Sequence, residues 1–241
     1  MLHLKDISKT YGSVESLDKI NLKINKGEVL ALLGDNGAGK STLLKILAGT
    51  EHASSGEIFT DKEPQKFNNV EDARNKGIDI VYQNLALCDD LSVYENIFLG
   101  KELTNKFGTL RKKEMIKTAE DLISKIGANI PALKKVKNLS GGQRQAIAIA
   151  RAMLGKAQYI LLDEPTAAIS VKQIKQVLNL IISLKNQGVG VVLVTHRIPD
   201  VFEVCDKVVI LRHGSVVMNK TIQQTNIEEI TGFITGAKTT S

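Results

Sequence analysis

Gly34-Asp35-Asn36-Gly37-Ala38-Gly39-Lys40-Ser41-Thr42 is the stretch on which the reading of this chain turns. An unbroken apolar run, Val29 to Leu33, precedes it, and Leu43-Leu44-Lys45-Ile46-Leu47-Ala48 follows, ahead of Gly49. The run predicts a strand buried on both faces, as in a parallel sheet. The segment behind the loop predicts a helix that stops at Gly49. Strand, glycine loop and helix are the setting that the pattern G-x-x-x-x-G-K-[ST] requires. Glycines let the backbone curl around a polyphosphate, with N–H groups turned inward at the positive end of a helix dipole. Lys40 is then placed to bridge the outer phosphates. The Ser41 hydroxyl is placed to ligate Mg²⁺, and Thr42 extends the cradle.

Composition sets the outer bounds. The 241 residues suffice for one large α/β domain, or for a core with a small lobe. No apolar run reaches the roughly 18 residues of a membrane helix, and Met1-Leu2-His3-Leu4-Lys5-Asp6 has no apolar signal-peptide core. Cys88 and Cys205 stand far apart and suggest neither a disulfide framework nor a metal site. The expectation is a reduced, cytosolic protein. The net charge of +6 is spread over scattered lysines, which fits a solvated surface, so no nucleic-acid partner is expected.

Residues 1–28 alternate with a period of two at Leu2 and Leu4 and at Ile20, Leu22 and Ile24. This predicts antiparallel strands with one wet face, and Glu57–Thr60 resumes that sheet. Between the first strands Lys9-Thr10-Tyr11-Gly12 reads as a loop with an aromatic at its tip, poised to stack on a base. Ile78–Tyr82 predicts a strand with Gln83 at its carboxyl end, a candidate metal or water ligand. Residues 85–139 are helical in character and lysine-bearing. Ser92 to Glu95 forms a capping box, and Met115, Ala119, Leu122, Ile123 and Ile126 share one helical face. Leu139-Ser140-Gly141-Gly142-Gln143 then opens an alanine-rich helix and offers a second anion site by the same physics as the first.

Two further buried strands end in polar residues. Tyr159–Leu162 runs into Asp163-Glu164-Pro165-Thr166, which places one carboxylate to hold Mg²⁺ through water and a second to orient or deprotonate a nucleophile. Val191–Thr195 delivers His196 to the same edge as a phosphate contact. Pro199–Cys205 and Asn226–Ile234 predict short helices around a hairpin at His213-Gly214-Ser215, and the tail from Gly236 is expected to be loose.

Taken in order, these motifs resemble the ATP-binding cassette family, the nucleotide-binding subunits of ABC transporters, over nearly the whole chain. Gly34–Thr42 is similar to the Walker A motif, Ile160–Glu164 to Walker B with its catalytic glutamate, and Leu139–Gln143 to the family signature. Gln83 falls at the Q-loop, His196 at the switch histidine, and Tyr11 at the aromatic that stacks on adenine. The resemblance implies an α/β fold: a P-loop NTPase (RecA-like) core with a small antiparallel β subdomain and an inserted helical subdomain. It divides a single ATPase domain, 1–241, into a core of 1–84 and 156–241 and a helical part of 85–155.

The same resemblance implies ATP and Mg²⁺ as cofactors, with Asp35, Asn36, Gly37 and Ala38 in the phosphate loop. Glu164, His196 and Gln83 are the implied catalytic set, and Ser41, Gln83 and Asp163 the implied metal set. Ser140, Gly141, Gly142 and Gln143 would cap the nucleotide held by a partner chain, so a homodimer or a pairing with a similar ATPase follows. An integral-membrane permease would dock near Leu85–Leu99, with a substrate-binding protein acting indirectly, and the chain would sit on the inner face of the cell membrane. Asp163-Glu164-Pro165-Thr166-Ala167-Ala168 and Glu95–Gly100 look most like importers of monosaccharides such as ribose, xylose or fructose. Branched-chain amino-acid importers and soluble, non-transporting ABC ATPases are the competing readings. The resemblance breaks at Ser170, where the family usually carries a D-loop aspartate. That serine also opens a capping box with Gln173.

Overall fold

The structure is a computed structural model describing residues 1–238. Two sheets lie against each other. The first is antiparallel, made of β1 (Leu2–Tyr11), β2 (Val14–Ile24), β4 (Ser55–Thr60) and β5 (Glu63–Gln65) in the order β2-β1-β4-β5. The second holds β3 (Val29–Gly34), β6 (Ile78–Val81), β7 (Tyr159–Asp163), β8 (Gly190–Val194), β9 (Lys207–Arg212) and β10 (Ser215–Thr221) in the order β10-β9-β3-β8-β7-β6. All of its neighbours pair in parallel except β9 with β10.

The eight α-helices among the described residues are α1 (Lys40–Leu47), α2 (Val70–Asn75), α3 (Val93–Phe98), α4 (Lys112–Lys125), α5 (Gly141–Leu154), α6 (Val171–Asn186), α7 (Ile198–Val204) and α8 (Ile227–Thr235). None is long and apolar enough to cross a membrane. Between β6 and β7, α3, α4 and α5 pack on one another, and α5 packs in turn on α6.

Strand β3 explains why the apolar run had to be unbroken. A strand sends alternate side chains to opposite faces. Leu30 and Leu32 enter one core, shared with α1 and the antiparallel sheet, through Leu43, Leu47, Leu4 and Ile20. Val29, Ala31 and Leu33 enter the other, shared with α5 and α6, through Ile147, Val177 and Ile181. Strands β7 and β8 divide in the same way, with Leu161 and Val192 on the first face and Ile160, Leu162, Val191 and Leu193 on the second. A polar residue within any of these runs would lose its water on either side.

The helix ends follow the signals in the sequence. Asn69 and Asn226 accept hydrogen bonds from the N–H groups of Asp72 and Glu229. Ser92, Ser140 and Ser170 each close a capping box. At Ser170 the box is made with Gln173, whose Oε1 accepts the Ser170 N–H at 3.1 Å.

Two expectations change. Tyr11 is not at a loop tip. Strand β1 runs on to it through irregular pairing with β2, and Tyr11 faces Val14 across a two-residue turn. Strand β5 was not foreseen: Asp61 and Lys62 make its turn with φ of 49° and 75°, without the Asn-Gly or Asp-Gly pair that usually marks such a turn. The helix that Leu139–Gln143 opens begins at Gly141, with Ser140 as its N-cap and the two glycines inside its first turn. The expected loose tail falls partly on residues 239–241, outside the described residues.

Gly190 starts β8 where β7 crowds closest. A Cβ there would lie 2.6 Å from the Asn25 carbonyl oxygen and 2.7 Å from the Tyr159 ring. Gly190→Ala is therefore expected to destabilise the protein by about 1–3 kcal/mol through overpacking. Equilibrium denaturation checks this, and an unchanged midpoint would contradict it.

Candidate functional site

The carboxyl ends of three parallel strands converge. Leu32 of β3 pairs with Val194 of β8, and Val194 pairs with Asp163 of β7. The residues just beyond these pairs therefore share one edge of the sheet. Ser16, Asn36 to Thr42, Asp163, Glu164, Val194 and His196 line one cleft there, of about 180 Å³.

Backbone shape builds the cradle. Gly34 has φ 148°, and a Cβ on it would lie 2.3 Å from the Leu211 carbonyl oxygen. Gly39 has φ 104° and approaches the Ser16 carbonyl so closely that a Cβ would meet it at 2.7 Å. Gly39 is also the N-cap of α1, which has no side-chain cap. The first-turn N–H groups, from Lys40 to Thr42, have no partner within the helix and sit where an anion would bind. Across the cleft, Ser16 Oγ lies 2.9 Å from Thr42 Oγ1, tying the loop to the antiparallel sheet.

Charge is concentrated here. The Lys40 side chain is only 7% exposed, and its ammonium donates to the carbonyls of Gly34 at 2.8 Å and Asp35 at 2.9 Å. Burial pulls its pKa below the ordinary lysine value, against the opposing pull of Glu164, Asp35 and Asp163. Burial, and then the neighbouring Glu164, push the Asp163 carboxyl up; Lys40 and His196 only partly offset them. His196 Nε2 lies 2.8 Å from Glu164 Oε1. Glu164 adopts φ 50°, a conformation that non-glycine residues hold only where surrounding contacts enforce it. Its N–H donates to the Val194 carbonyl at 2.9 Å.

Among the described residues no cluster of three His, Cys, Asp or Glu side chains could hold a metal unaided. Mg²⁺ is generally held by one or two carboxylates together with water and substrate phosphates. Asp163, raised by burial beside a second carboxylate, is a group a divalent cation would relieve, and the exposed Ser41 hydroxyl opens on the same cleft.

Other expected residues lie apart. Gln83 is exposed, two residues beyond the end of β6, and does not line the cleft; nor does Asp35, which accepts the Asn36 N–H instead. Tyr11 is 43% exposed, with Lys9 Nζ 4.7 Å from its ring centre, and Lys9 pairs with Glu51 at 3.1 Å. Ser140, Gly141, Gly142 and Gln143 sit at the start of α5, outside the cleft of their own chain. The two glycines have a packing reason within the chain: a Cβ on Gly141 would lie 2.7 Å from Ile169, and one on Gly142 would lie 2.8 Å from Gln176. Ser16 escaped the sequence reading, since a serine on an alternating strand carries no signal of its own.

The likeness to known proteins agrees with this geometry. Residues 17–167 match the ABC transporter family. The chain is 47% identical, over 98% of its length, to the xylose/arabinose import ATP-binding protein XylG of Sulfolobus acidocaldarius, and covers 94% of that protein. It is 41% identical to the ribose import ATP-binding protein RbsA of Lactococcus lactis subsp. cremoris over 99% of its own length. There it spans 49% of the relative, about half of that longer protein. Among solved structures, the nucleotide-free ATP-binding cassette of an ABC transporter superposes with a TM-score of 0.83 at 22% identity, covering 97% of this chain and 98% of that one. The cassette MJ0796, solved as a dimer in a post-hydrolysis state with ADP and Pi, gives 0.75 at 30% identity, with 92% and 99% covered.

The electrostatics carry a testable sign. The folded-state pKa of Asp163 lies above its ordinary 3.8. Between those two values the native state binds the proton more tightly than the unfolded chain does, so stability falls as pH rises through the window. Ionised Asp163 therefore weakens the nucleotide-free fold at neutral pH. Asp163→Asn is expected to melt higher than the parent near neutrality, with the difference shrinking below about pH 4. Thermal melts across pH check this, and a lower melting temperature at neutral pH would contradict it.

Proposed function

The chain belongs to the ABC transporter family, and we propose that it is the ATP-hydrolysing subunit that energises uptake of a monosaccharide, a pentose above all, through a membrane permease. The observation that carries the reading is the 47% identity, across almost the full length of both chains, to a xylose/arabinose import ATP-binding protein. The cleft supplies the chemistry such a subunit needs.

In this reading the loop from Gly34 to Thr42 holds the phosphates of ATP, and Lys40 releases the Gly34 and Asp35 carbonyls to meet them. Tyr11 stacks on the base. Ser41 and Asp163 would hold Mg²⁺, which would neutralise charge developing on the phosphates, and Gln83 would join them only by moving in from outside the cleft. Glu164 orients and deprotonates the attacking water, and His196, 2.8 Å from Glu164, contacts the terminal phosphate. Ser140, Gly141, Gly142 and Gln143 act on the nucleotide of a second cassette, since they stand outside their own cleft. Glu164 and the polar tips are thus half of a site that a partner completes.

A groove beyond Gln83 supports permease docking near Leu85–Leu99. Arg74, Tyr82, Leu85, Leu99, Lys101 and Arg151 line it, and Tyr82 and Leu99 are 40% and 43% exposed. Arg151 fixes its floor by donating to the carbonyls of Leu85 at 2.7 Å and Ala86 at 3.0 Å. The same reading divides the domain at residues 84/85 and 155/156, with the helical part inserted between β6 and β7.

A positioned general base contributes roughly 10²–10⁴-fold to a rate. Glu164→Gln should slow ATP turnover by about that factor and leave ATP affinity intact, whereas Lys40→Ala should abolish nucleotide binding. Steady-state hydrolysis and fluorescent-nucleotide titration read the two effects. Wild-type turnover in the first variant, or wild-type affinity in the second, would overturn these assignments. For the substrate, the chain reconstituted with its permease in vesicles should hydrolyse ATP faster when pentose-loaded binding protein is added. No response to any monosaccharide would contradict the sugar reading.

A further inference from the structure

Asp200 plays no part in the cleft, yet it is among the most deeply buried charged side chains of the described residues, at 3% exposure. A carboxylate so buried is tolerable only when it is fully partnered. Its partners come from two different loops. Thr166, itself 3% exposed, donates from Oγ1 to Asp200 Oδ2 at 2.9 Å. Arg197 donates from Nε to Oδ1 at 3.2 Å and to Oδ2 at 3.1 Å.

Thr166 stands two residues beyond Glu164, and Arg197 one residue beyond His196. The carboxylate therefore joins the loop leaving β7 to the loop leaving β8, the two loops whose Glu164 and His196 approach each other to 2.8 Å. Both loops need such a tie. Glu164 and Ala168 hold φ of 50° and 56°, so the segment between them is bent out of ordinary backbone conformations at both ends. The Arg197 N–H is itself fixed by Thr195 Oγ1 at 3.0 Å.

We propose that Asp200 is a positioning residue: through Thr166 and Arg197 it braces the two loops so that Glu164 and His196 meet at the phosphate edge in one fixed geometry. It touches neither substrate nor metal and acts only through the residues it holds. The inference builds on the reading of Glu164 and His196 as the hydrolytic pair. A simpler role would be stabilisation of the short helix α7, in whose first turn Asp200 lies. Thr166 separates the two roles, because its removal cuts the brace and leaves Asp200, Arg197 and α7 in place.

Thr166→Val keeps the shape and deletes the hydroxyl, and Thr166→Ser keeps the hydroxyl. Misplacing a reacting group by about 1 Å costs on the order of 100-fold in rate. Thr166→Val should accordingly lose about 10- to 100-fold in kcat, with the KM for ATP holding within about twofold. Thr166→Ser should return to near the wild-type rate. Asp200→Asn, which can still accept from Thr166 but carries no charge for Arg197, should fall between. Wild-type kcat in Thr166→Val, or a Thr166→Ser enzyme as slow as Thr166→Val, overturns the brace. Glu164→Gln is measured alongside. If that variant is slow, a wild-type rate in Thr166→Val counts against the brace alone. If it turns over at the wild-type rate, the hydrolytic pair beneath the brace fails, and the brace with it.

Discussion

A buried ammonium is the constraint on which the rest of this molecule depends. Lys40 sits at the carboxyl edge of a parallel sheet with almost no access to water, and its charge must be balanced from within. Two backbone carbonyls of the loop it follows accept its hydrogen bonds, and Asp163, Glu164 and Asp35 surround it with negative charge. That set can exist only if three strands end level with one another and the loop after the first of them folds back on itself. The sheet registry, the crowded glycines at 34 and 39 and the bent backbone at Glu164 all meet that requirement.

The arrangement is poised between two ways of satisfying the same charges. Lys40 bonds to its own loop, and Glu164 lies against His196. A polyphosphate would compete for the first and a magnesium ion would relieve Asp163, whose burial beside a like charge is otherwise unfavourable. Binding energy is thereby available where the chain is least comfortable, which is the pattern expected when stability is given up for function.

Much of this was legible in the sequence. Val29–Leu33, Tyr159–Leu162 and Val191–Val194 are apolar without interruption because each strand is covered on both faces, and each run ends in the polar residues of the site. Serine caps and terminal glycines likewise placed the helices to within a residue or two. What stayed hidden depends on partners distant in the chain. Ser16 matters because it meets Thr42, and Asp200 because it meets Thr166 and Arg197. Tyr11 was misplaced because irregular pairing extends β1 beyond its clean alternation, and β5 was missed because its turn uses Asp61 and Lys62. Gln83 and Ser140 to Gln143 stand out as motifs, yet they lie outside the cleft of the isolated chain.

That separation is central to the proposed function, in which each chain carries half of a nucleotide site and meets a second cassette to complete it. The most direct measurement is the mass in solution of the Glu164→Gln protein, by analytical ultracentrifugation, with and without Mg²⁺-ATP. The expected result is a monomer without nucleotide and a dimer at saturating ATP, with Ser140→Arg abolishing the dimer but not ATP binding. A protein that binds ATP to saturation and remains monomeric would contradict it.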